Sequence, residues 1–517
     1  MKQKIWVWMV GFSISLLLMV ALAKAPINPL SVAGYAPGTD YVPGQILVMV
    51  SPNRLKVPKG TTPNVLPEKV VFELEHLYRQ LGYQVVNEYA LPDRMRDQNL
   101  PPLNNPEVCG GTLLTLSIGG LSVDAMVEAV TLATQNYLRG QGYNPPNEGF
   151  LVVPNDGFTR PDALMPSDPS IPSVNLNGLA NSAQGVRVAI IDSGFVLPPN
   201  VTSTLPGFTT IHDSDSEPPS FNGWQSDEIT ILDAVPSPVY GHGTPVLGII
   251  ASIAKGATFI PIKACNARGF CTGKSVTLGL CYAAYQHAKV INASFGGFYS
   301  SPLVKAAVRD VIDVGGLVVA GAGNSRNLAW NLSREDINRG RLRDPNDLIR
   351  GWNKPVYPAA WSEQLFTRPA RRGDLFVFSH ADGLLSVGST NSLGQISKFS
   401  SLSPNIDIVT FGENVETEFS LDSSFNHFVA ARRSGTSFAA PIISGIAAVM
   451  RGQRLRERAG ITELTIVGAG ERQAYECVLD LNMWPVLNDC RLPNLNSTAP
   501  QILVSQLDMT SLRSLLY

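Results

Sequence analysis

The sequence predicts an α/β fold, and three patterns carry that reading. Val186-Arg187-Val188-Ala189-Ile190-Ile191 has the look of a buried strand, and it ends in Asp192-Ser193-Gly194. Far downstream, the Gly-led turn Ser434-Gly435-Thr436-Ser437 leads to the mostly apolar run Ile442 to Met450, which reads as a buried helix. Ahead of both, residues 24–155 alternate strand and helix patterns as a smaller unit of their own.

The elements follow in order. Lys2 and Lys4 precede the mostly apolar run Ile5 to Ala23, and Ala21-Leu22-Ala23 offers a small-residue cleavage site. Residues 1–23 therefore read as a secretory signal peptide. The alternative is an uncleaved membrane anchor, since roughly 20 apolar residues also span a bilayer. No cysteine follows the run, so a lipoprotein signal is not expected. Gly44 to Val50 reads as a strand, and a helix follows with Val70, Leu74, Leu77 and Leu81 on one face and Gly82 as its stop. Strands are expected at Gln84–Leu91 and Leu113–Ile118. Ser122 then caps a second helix carrying Val123, Val127 and Val130, and Gly149–Val153 closes the unit as a strand. The order β-α-β-β-α-β is the split βαβ, ferredoxin-like arrangement. Residues 156–185, rich in Pro, Asp, Ser and Asn, read as a linker.

Three positions stand out chemically. Ser437 sits on a tight turn at the mouth of a helix, where backbone N–H groups and the positive helix end lie beside its hydroxyl. Of six histidines, only His242 lies between glycines, in Gly241-His242-Gly243-Thr244, and those glycines let another chain approach a working imidazole. Asp192 closes a strand at the end where α/β folds place their chemistry. Each alone has a plain structural reading, as a helix start, a core histidine and a turn aspartate.

Their order, Asp then His then Ser, is one of the known orders of a catalytic triad. Further stretches agree with it: Val318-Val319-Ala320-Gly321-Ala322-Gly323-Asn324, Ile291-Asn292-Ala293-Ser294-Phe295-Gly296-Gly297, Pro355 to Ala360 and Leu385 to Thr390. On these motifs residues from about 186 to 452 resemble the subtilisin-like serine peptidases, the subtilases. The resemblance implies a doubly wound, mostly parallel sheet with helices on both faces, preceded by the small α+β unit as an inhibitory propeptide. It implies Ser437 as nucleophile, His242 as base and acid, Asp192 as the group orienting the imidazole, and Asn324 with the Ser437 N–H as oxyanion donors. Ser294, Phe295 and Gly296 would form one wall of the substrate cleft and Gly321 with Ala322 the other. Substrate would lie there as an added strand. Phe298 and Tyr299 follow the first wall closely.

The implied product is a secreted endopeptidase made as a self-processing precursor, with the processing site in the linker and the propeptide as intramolecular inhibitor. Its partners would be protein or peptide substrates, with a membrane only if the first segment stays uncleaved. A binding protein that kept the fold without activity is the other reading. Such a chain is expected to have lost one of Asp192, His242, Asn324 or Ser437, and all four stand.

Composition agrees with an enzyme: 44% hydrophobic residues, 16% charged and a formal net charge of −2 point away from nucleic acid. Arg371-Arg372, Arg432-Arg433 and the run Arg451 to Arg458 read as solvated faces, with Arg432-Arg433 close enough to the turn to influence substrate charge. The resemblance suggests Cys265–Cys271 as the first disulfide, and Cys477–Cys490 is the second candidate. If Cys109 leaves with the propeptide, the five cysteines that remain leave one thiol free, Cys281 for instance, since spacing alone does not fix connectivity. The chemistry requires no cofactor. The short Ser252–Gly256 stretch lacks the carboxylates of a calcium loop that many relatives carry, and Pro245 stands where many have a second histidine. Asp213, Asp215 and Glu217 lie in an insertion as a solvated loop or a calcium site. Residues 326–353 and 362–383 are further insertions. Residues 453–517 read as a small extension with strand-like runs at Leu464–Val467 and Gln501–Val504.

Overall fold

The computed structural model describes residues 41–516 except 91–99, 145–148, 160–169, 212–229, 232–238, 325–355, 363–381, 402–405, 423–426, 454–457, 481–485, 492–500, residues 105, 118, 120, 121 and 470, and the pairs 267–268 and 298–299. The expected signal segment, the acidic run at Asp213, Arg371-Arg372, Phe298, Tyr299 and most of both insertions lie outside them. The chain divides into two compact units, one reaching Asp156 and the other starting at Gly157 and including Arg96–Pro102.

The first unit runs β1 (Tyr41–Val50), α1 (Pro67–Gln80), β2 (Gln84–Ala90), β3 (Thr112–Ser117), α2 (Val123–Gly140) and the first residues of β4 (Phe150–Thr159). The sheet order is β4-β1-β3-β2 with every neighbour antiparallel, the split βαβ arrangement. Ile46, Val48 and Val50 alternate inward along β1 and meet Val70 and Leu74 of α1 and Val130 and Leu138 of α2. Gly82, with φ +88°, turns the chain out of α1 as a left-handed residue after a helix end does. Ser122 holds the N-cap position of α2 without a side-chain bond.

The second unit is an α/β layer structure. Its elements are β5 (Arg187–Asp192), β6 (Val239–Tyr240), α3 (Gly243–Ile253), β7 (Thr258–Lys263), β8 (Phe270–Thr272), α4 (Gly273–Tyr285), β9 (Val290–Ala293), α5 (Pro302–Asp313), β10 (Leu317–Gly321), β11 (Leu384–Thr390), β12 (Ile408–Phe411), β13 (Val415–Leu421), β14 (Phe428–Arg433), α6 (Thr436–Gln453), α7 (Ala459–Ala469), β15 (Glu471–Asp480), β16 (Val486–Arg491), β17 (Gln501–Gln506) and α8 (Met509–Ser514). The large sheet has the order β16-β15-β17-β12-β11-β10-β9-β5-β7, with Phe208–Thr209 beyond β7. From β17 through to Phe208–Thr209 all pairs are parallel, and β15 is antiparallel to β16 and β17.

Helices cover both faces, which is what apolar parallel strands require. Val188 and Ile190 of β5 share a core with Leu247 and Ile250 of α3 and Ile443 and Ile446 of α6. Ile191 turns the other way, toward Gly279 of α4, where an added Cβ would stand 3.6 Å from it. β7 lies on one side of β5 and β9 on the other, so the strand order reverses at β5. The crevice beyond its carboxyl end is where such sheets hold their chemistry, and Asp192 is its last residue.

Three expectations change. Leu464–Val467 belongs to helix α7, because burial of Thr462, Glu463 and Ile466 outweighs the β preference of its branched residues. Arg433 and Arg451 are each 1% exposed, so the arginine clusters are not simply solvated faces; only Arg432 of that pair is exposed. β4 runs on to Thr159, into the stretch read as linker.

Glu463 carries a pH dependence. Its carboxylate accepts the Gly383 N–H at 2.7 Å. Burial raises its pKa well above the ordinary value, and the charges of Asp407 and Asp382 raise it further. The folded state thus binds a proton more tightly than the unfolded chain. That stability is fully present below the unfolded pKa, near 4.3, and is lost as pH rises through the folded one. Glu463→Gln keeps an acceptor and removes the charge. It is expected to raise Tm by about 2–4 °C at pH 8 and leave it nearly unchanged at pH 4.5. Equal shifts at both pH values in calorimetry would contradict this.

Candidate active site

The sequence motifs converge beyond the carboxyl ends of β5, β9 and β10. Asp192 ends β5, and its Oδ1 accepts the Ser193 N–H at 2.7 Å and the Ser193 hydroxyl at 3.1 Å. The same oxygen lies 2.6 Å from His242 Nδ1. A carboxylate only accepts, so the proton sits on Nδ1 and Nε2 is left as the basic nitrogen. Lys263, the last residue of β7 and paired in register with Asp192, donates its buried ammonium to the Ser193 carbonyl. Gly243 starts α3 so close to the Asp192 turn that a Cβ there would stand 2.3 Å from the Gly194 carbonyl oxygen.

Ser437 is the second residue of α6, after Gly435 with φ +150°, a backbone angle that only glycine adopts readily. Phe438, the next residue, sets its ring edge-on to His242 with centroids 5.4 Å apart. On the other side, the Asn324 Oδ1 accepts the Thr436 N–H at 2.8 Å, while the Gly323 N–H donates to the Thr436 hydroxyl at 3.1 Å. Held in this way, the Asn324 amide leaves its Nδ2 buried and, among the described residues, without a hydrogen-bond partner, as is the Ser437 Oγ. Buried polar atoms without partners are rare, and here, among the described residues, they fall on Asn324, which is bonded to Thr436, and on Ser437, the next residue in the chain. Asp192, His242, Asn324 and Ser437 are at most 3% exposed.

The residues expected to wall a cleft divide. Ser294 donates its hydroxyl to the Ser437 carbonyl at 3.0 Å and belongs to a chain of bonds through Asn292 to Ser444 of α6. Gly321 is approached by Thr436, whose Oγ1 would be 3.1 Å from an added Cβ, and the Ala322 N–H donates to the Val387 carbonyl. Phe295 and Gly297 meet a segment of the chain itself. Gly157–Thr159 pairs antiparallel with β8, and on its other side an added Cβ at Gly297 would be 2.7 Å from the Gly157 carbonyl oxygen. The Phe158 ring is fully buried and edge-on to Phe295, with centroids 6.1 Å apart. Gly296 instead faces Val356.

A family model described as the subtilase family matches residues 183–465. The chain belongs to the subtilase family. Over 270 residues it is 26% identical to thermitase of Thermoactinomyces vulgaris, covering 52% of this chain and 76% of that one. It is 25% identical over 279 residues to the major intracellular serine protease of Bacillus subtilis, covering 52% and 69%. It is 28% identical over 215 residues to the extracellular serine proteinase of a Thermus strain, covering 40% of each. Among solved structures, fervidolysin from Fervidobacterium pennivorans, described as a keratinolytic enzyme related to subtilisin, aligns with TM-score 0.53 and 16% identity over 93% of this chain and 62% of its own, which shows a common fold. This subtilase is a serine peptidase with the subtilisin-like α/β sheet.

Lys263, Phe438 and Phe158 are not legible as site residues in the sequence, while Thr436 reads only as part of the turn and Arg433 only as part of a charged cluster. Lys263 left a signal, a lone charge closing the apolar run Phe259 to Ile262. The others act through neighbours distant in sequence. Among the described residues of the uncut chain no cysteine is free, Cys281 included. Cys265 and Cys271 face each other with Cα atoms 4.1 Å apart, and Cys477 stands opposite Cys490 in register. No group of three or more metal-ligating side chains occurs among the described residues, nor any helix long and apolar enough to cross a membrane.

Proposed function

We propose that the chain is the precursor of a secreted serine endopeptidase that cuts itself and then other protein chains through an acyl-enzyme. The observation that carries this reading is the pairing of Asp192 with His242 beside a turn where Ser437 Oγ and Asn324 Nδ2 are buried and idle. Ser437 Oγ attacks the scissile carbonyl carbon while His242 Nε2 takes its proton, and the Ser437 N–H and Asn324 Nδ2 receive the oxyanion. Collapse of the tetrahedral species breaks the C–N bond, and the imidazolium returns the proton to the leaving amine. Water then repeats the sequence on the ester. Asp192 fixes the tautomer and steadies the imidazolium.

Self-processing is supported by Gly157–Thr159, which lies as a strand between β8 and Gly297 in the manner of a bound substrate. The cut is expected shortly after Thr159, within residues 160–169. The β-α-β-β-α-β unit ahead of it then acts as propeptide and inhibitor, and residues 1–23 direct export. An extracellular relative agrees with that last point by its name.

The test is to express the chain without residues 1–23, incubate it, and treat it with a fluorophosphonate, which phosphonylates activated serines with loss of fluoride. Expected are an N-terminal fragment ending within residues 160–169 and an adduct on the peptide carrying Ser437. A folded chain that stays whole and takes no label would favour the binding-protein reading.

The edge strand β8 adds a prediction. Cys265 and Cys271 bracket the turn that leads into it, and Asn266 ties the same turn to Phe270 through both backbone and side chain. Opening that link by Cys265→Ser with Cys271→Ser loosens a strand that must be ordered to receive substrate. KM for an extended peptide is expected to rise about fivefold with kcat little changed, about 1 kcal/mol of ordering cost. A fall in kcat at unchanged KM would contradict it.

A further inference from the structure

A second, smaller sheet joins the lead-in strands of two site residues. β14 ends at Arg433, directly before Ser434-Gly435-Thr436-Ser437, and β6 ends at Tyr240, directly before Gly241-His242. Both strands flank β13, β14 along much of its length, but β6 through the single pair Leu421↔Tyr240 recorded among the described residues. That one pair is a slender hold on the approach to His242.

Arg433 supplies another. Its side chain is 1% exposed. Its Nε donates to Ser420 Oγ of β13 at 2.9 Å, and one terminal nitrogen donates to the Gly241 carbonyl at 2.5 Å. The guanidinium carbon also lies 5.8 Å from the centroid of the Phe438 ring, whose edge meets His242. One planar group thus touches the residue before His242, the residue after Ser437, and the strand between their approaches. A guanidinium can do this because its donors form a rigid fork and its face stacks on a ring; an ammonium offers a point charge without either. Burying a cation is expensive, and an apolar side chain would fill the space at lower cost, so a buried guanidinium that spans three elements calls for a positional reason.

We propose that Arg433 is a positioning residue that holds the His242 and Ser437 backbones in register for proton transfer between their side chains. The proposal rests on the catalytic roles argued above. It is tested in the full chain without residues 1–23 by kcat and KM on a peptide substrate, with active sites counted by exhaustive fluorophosphonate labelling and Tm measured alongside. Arg433→Met is expected to lower kcat per labelled site about a hundredfold with KM within about twofold, as a displacement near 1 Å does. Arg433→Lys should recover part of that loss. Ser420→Ala, which leaves the charge and removes one bond, should lower kcat a few-fold.

A lower Tm with kcat per labelled site unchanged would reduce Arg433 to a structural residue and overturn the proposal. If Arg433→Met does not fold, Ser420→Ala decides, and an unaltered kcat there overturns it. Wild type that takes no label at Ser437 would sink the peptidase reading itself, which the variants alone cannot do.

Discussion

Ser437→Ala is expected to give a chain that folds, stays uncut and hydrolyses no added peptide. The loss in kcat should be about 10⁶, the magnitude that removing the nucleophile has in subtilisin, taken over from that enzyme. Stability should move the other way. Ser437 Oγ is buried and bonded to nothing among the described residues, so truncation removes an unsatisfied polar atom rather than a contact. Tm is therefore expected to hold or rise slightly, which separates lost chemistry from lost structure. Calorimetry beside intact mass reads both. Self-cleavage of the alanine chain at a rate near wild type would remove Ser437 from the mechanism.

The second large effect is expected at Asn324. Its two side-chain atoms differ: Oδ1 accepts the Thr436 N–H, and Nδ2, the proposed oxyanion donor, has no partner among the described residues. Asn324→Asp keeps the acceptor and replaces the donor by an oxygen that cannot donate to an oxyanion. A fall in kcat of about 10²–10³ is expected with KM within a few-fold, as loss of such a donor costs in subtilisin. Asn324→Ala removes both atoms and leaves the Thr436 N–H buried without its partner, so it should add a stability loss of about 1–3 kcal/mol. If the Asp variant keeps its kcat, the oxyanion role of Asn324 is wrong, whatever the Ala variant does.

The positions that were legible in the sequence are those where the backbone itself demands a residue type. Gly194, Gly241, Gly323 and Gly435 all have positive φ, and each stands within two residues of Asp192, His242, Asn324 or Ser437. The glycines announced the turns, and the turns present the side chains. The apolar run of β5 was equally readable, since both its faces are covered. Arg433 and Arg451 read as surface because charge next to charge is a local pattern, whereas two of their partners, Gly241 and Gly315, lie far away in the chain. The same distance hid Phe158, whose Pro- and Asp-rich surroundings look like a linker. Only tertiary pairing with β8 makes it part of a strand. In α7 the branched residues spoke for a strand, and packing overruled them.

One feature of the large sheet bears on the timing of synthesis. β17 is made long after β12, yet it pairs in parallel with β12 and carries β15 on its other edge. The Leu507 N–H bonds to Val409, and Leu507 and Leu512 enter the central core. A chain emerging from its N-terminus holds Asp192, His242 and Ser437 long before this piece exists, with the edge of β12 still open. Contacts between such distant segments form late and slowly. Assembly of the sheet therefore waits for residues 501–512 to be made, and Asp192, His242 and Ser437 leave the ribosome before the sheet that carries them can close.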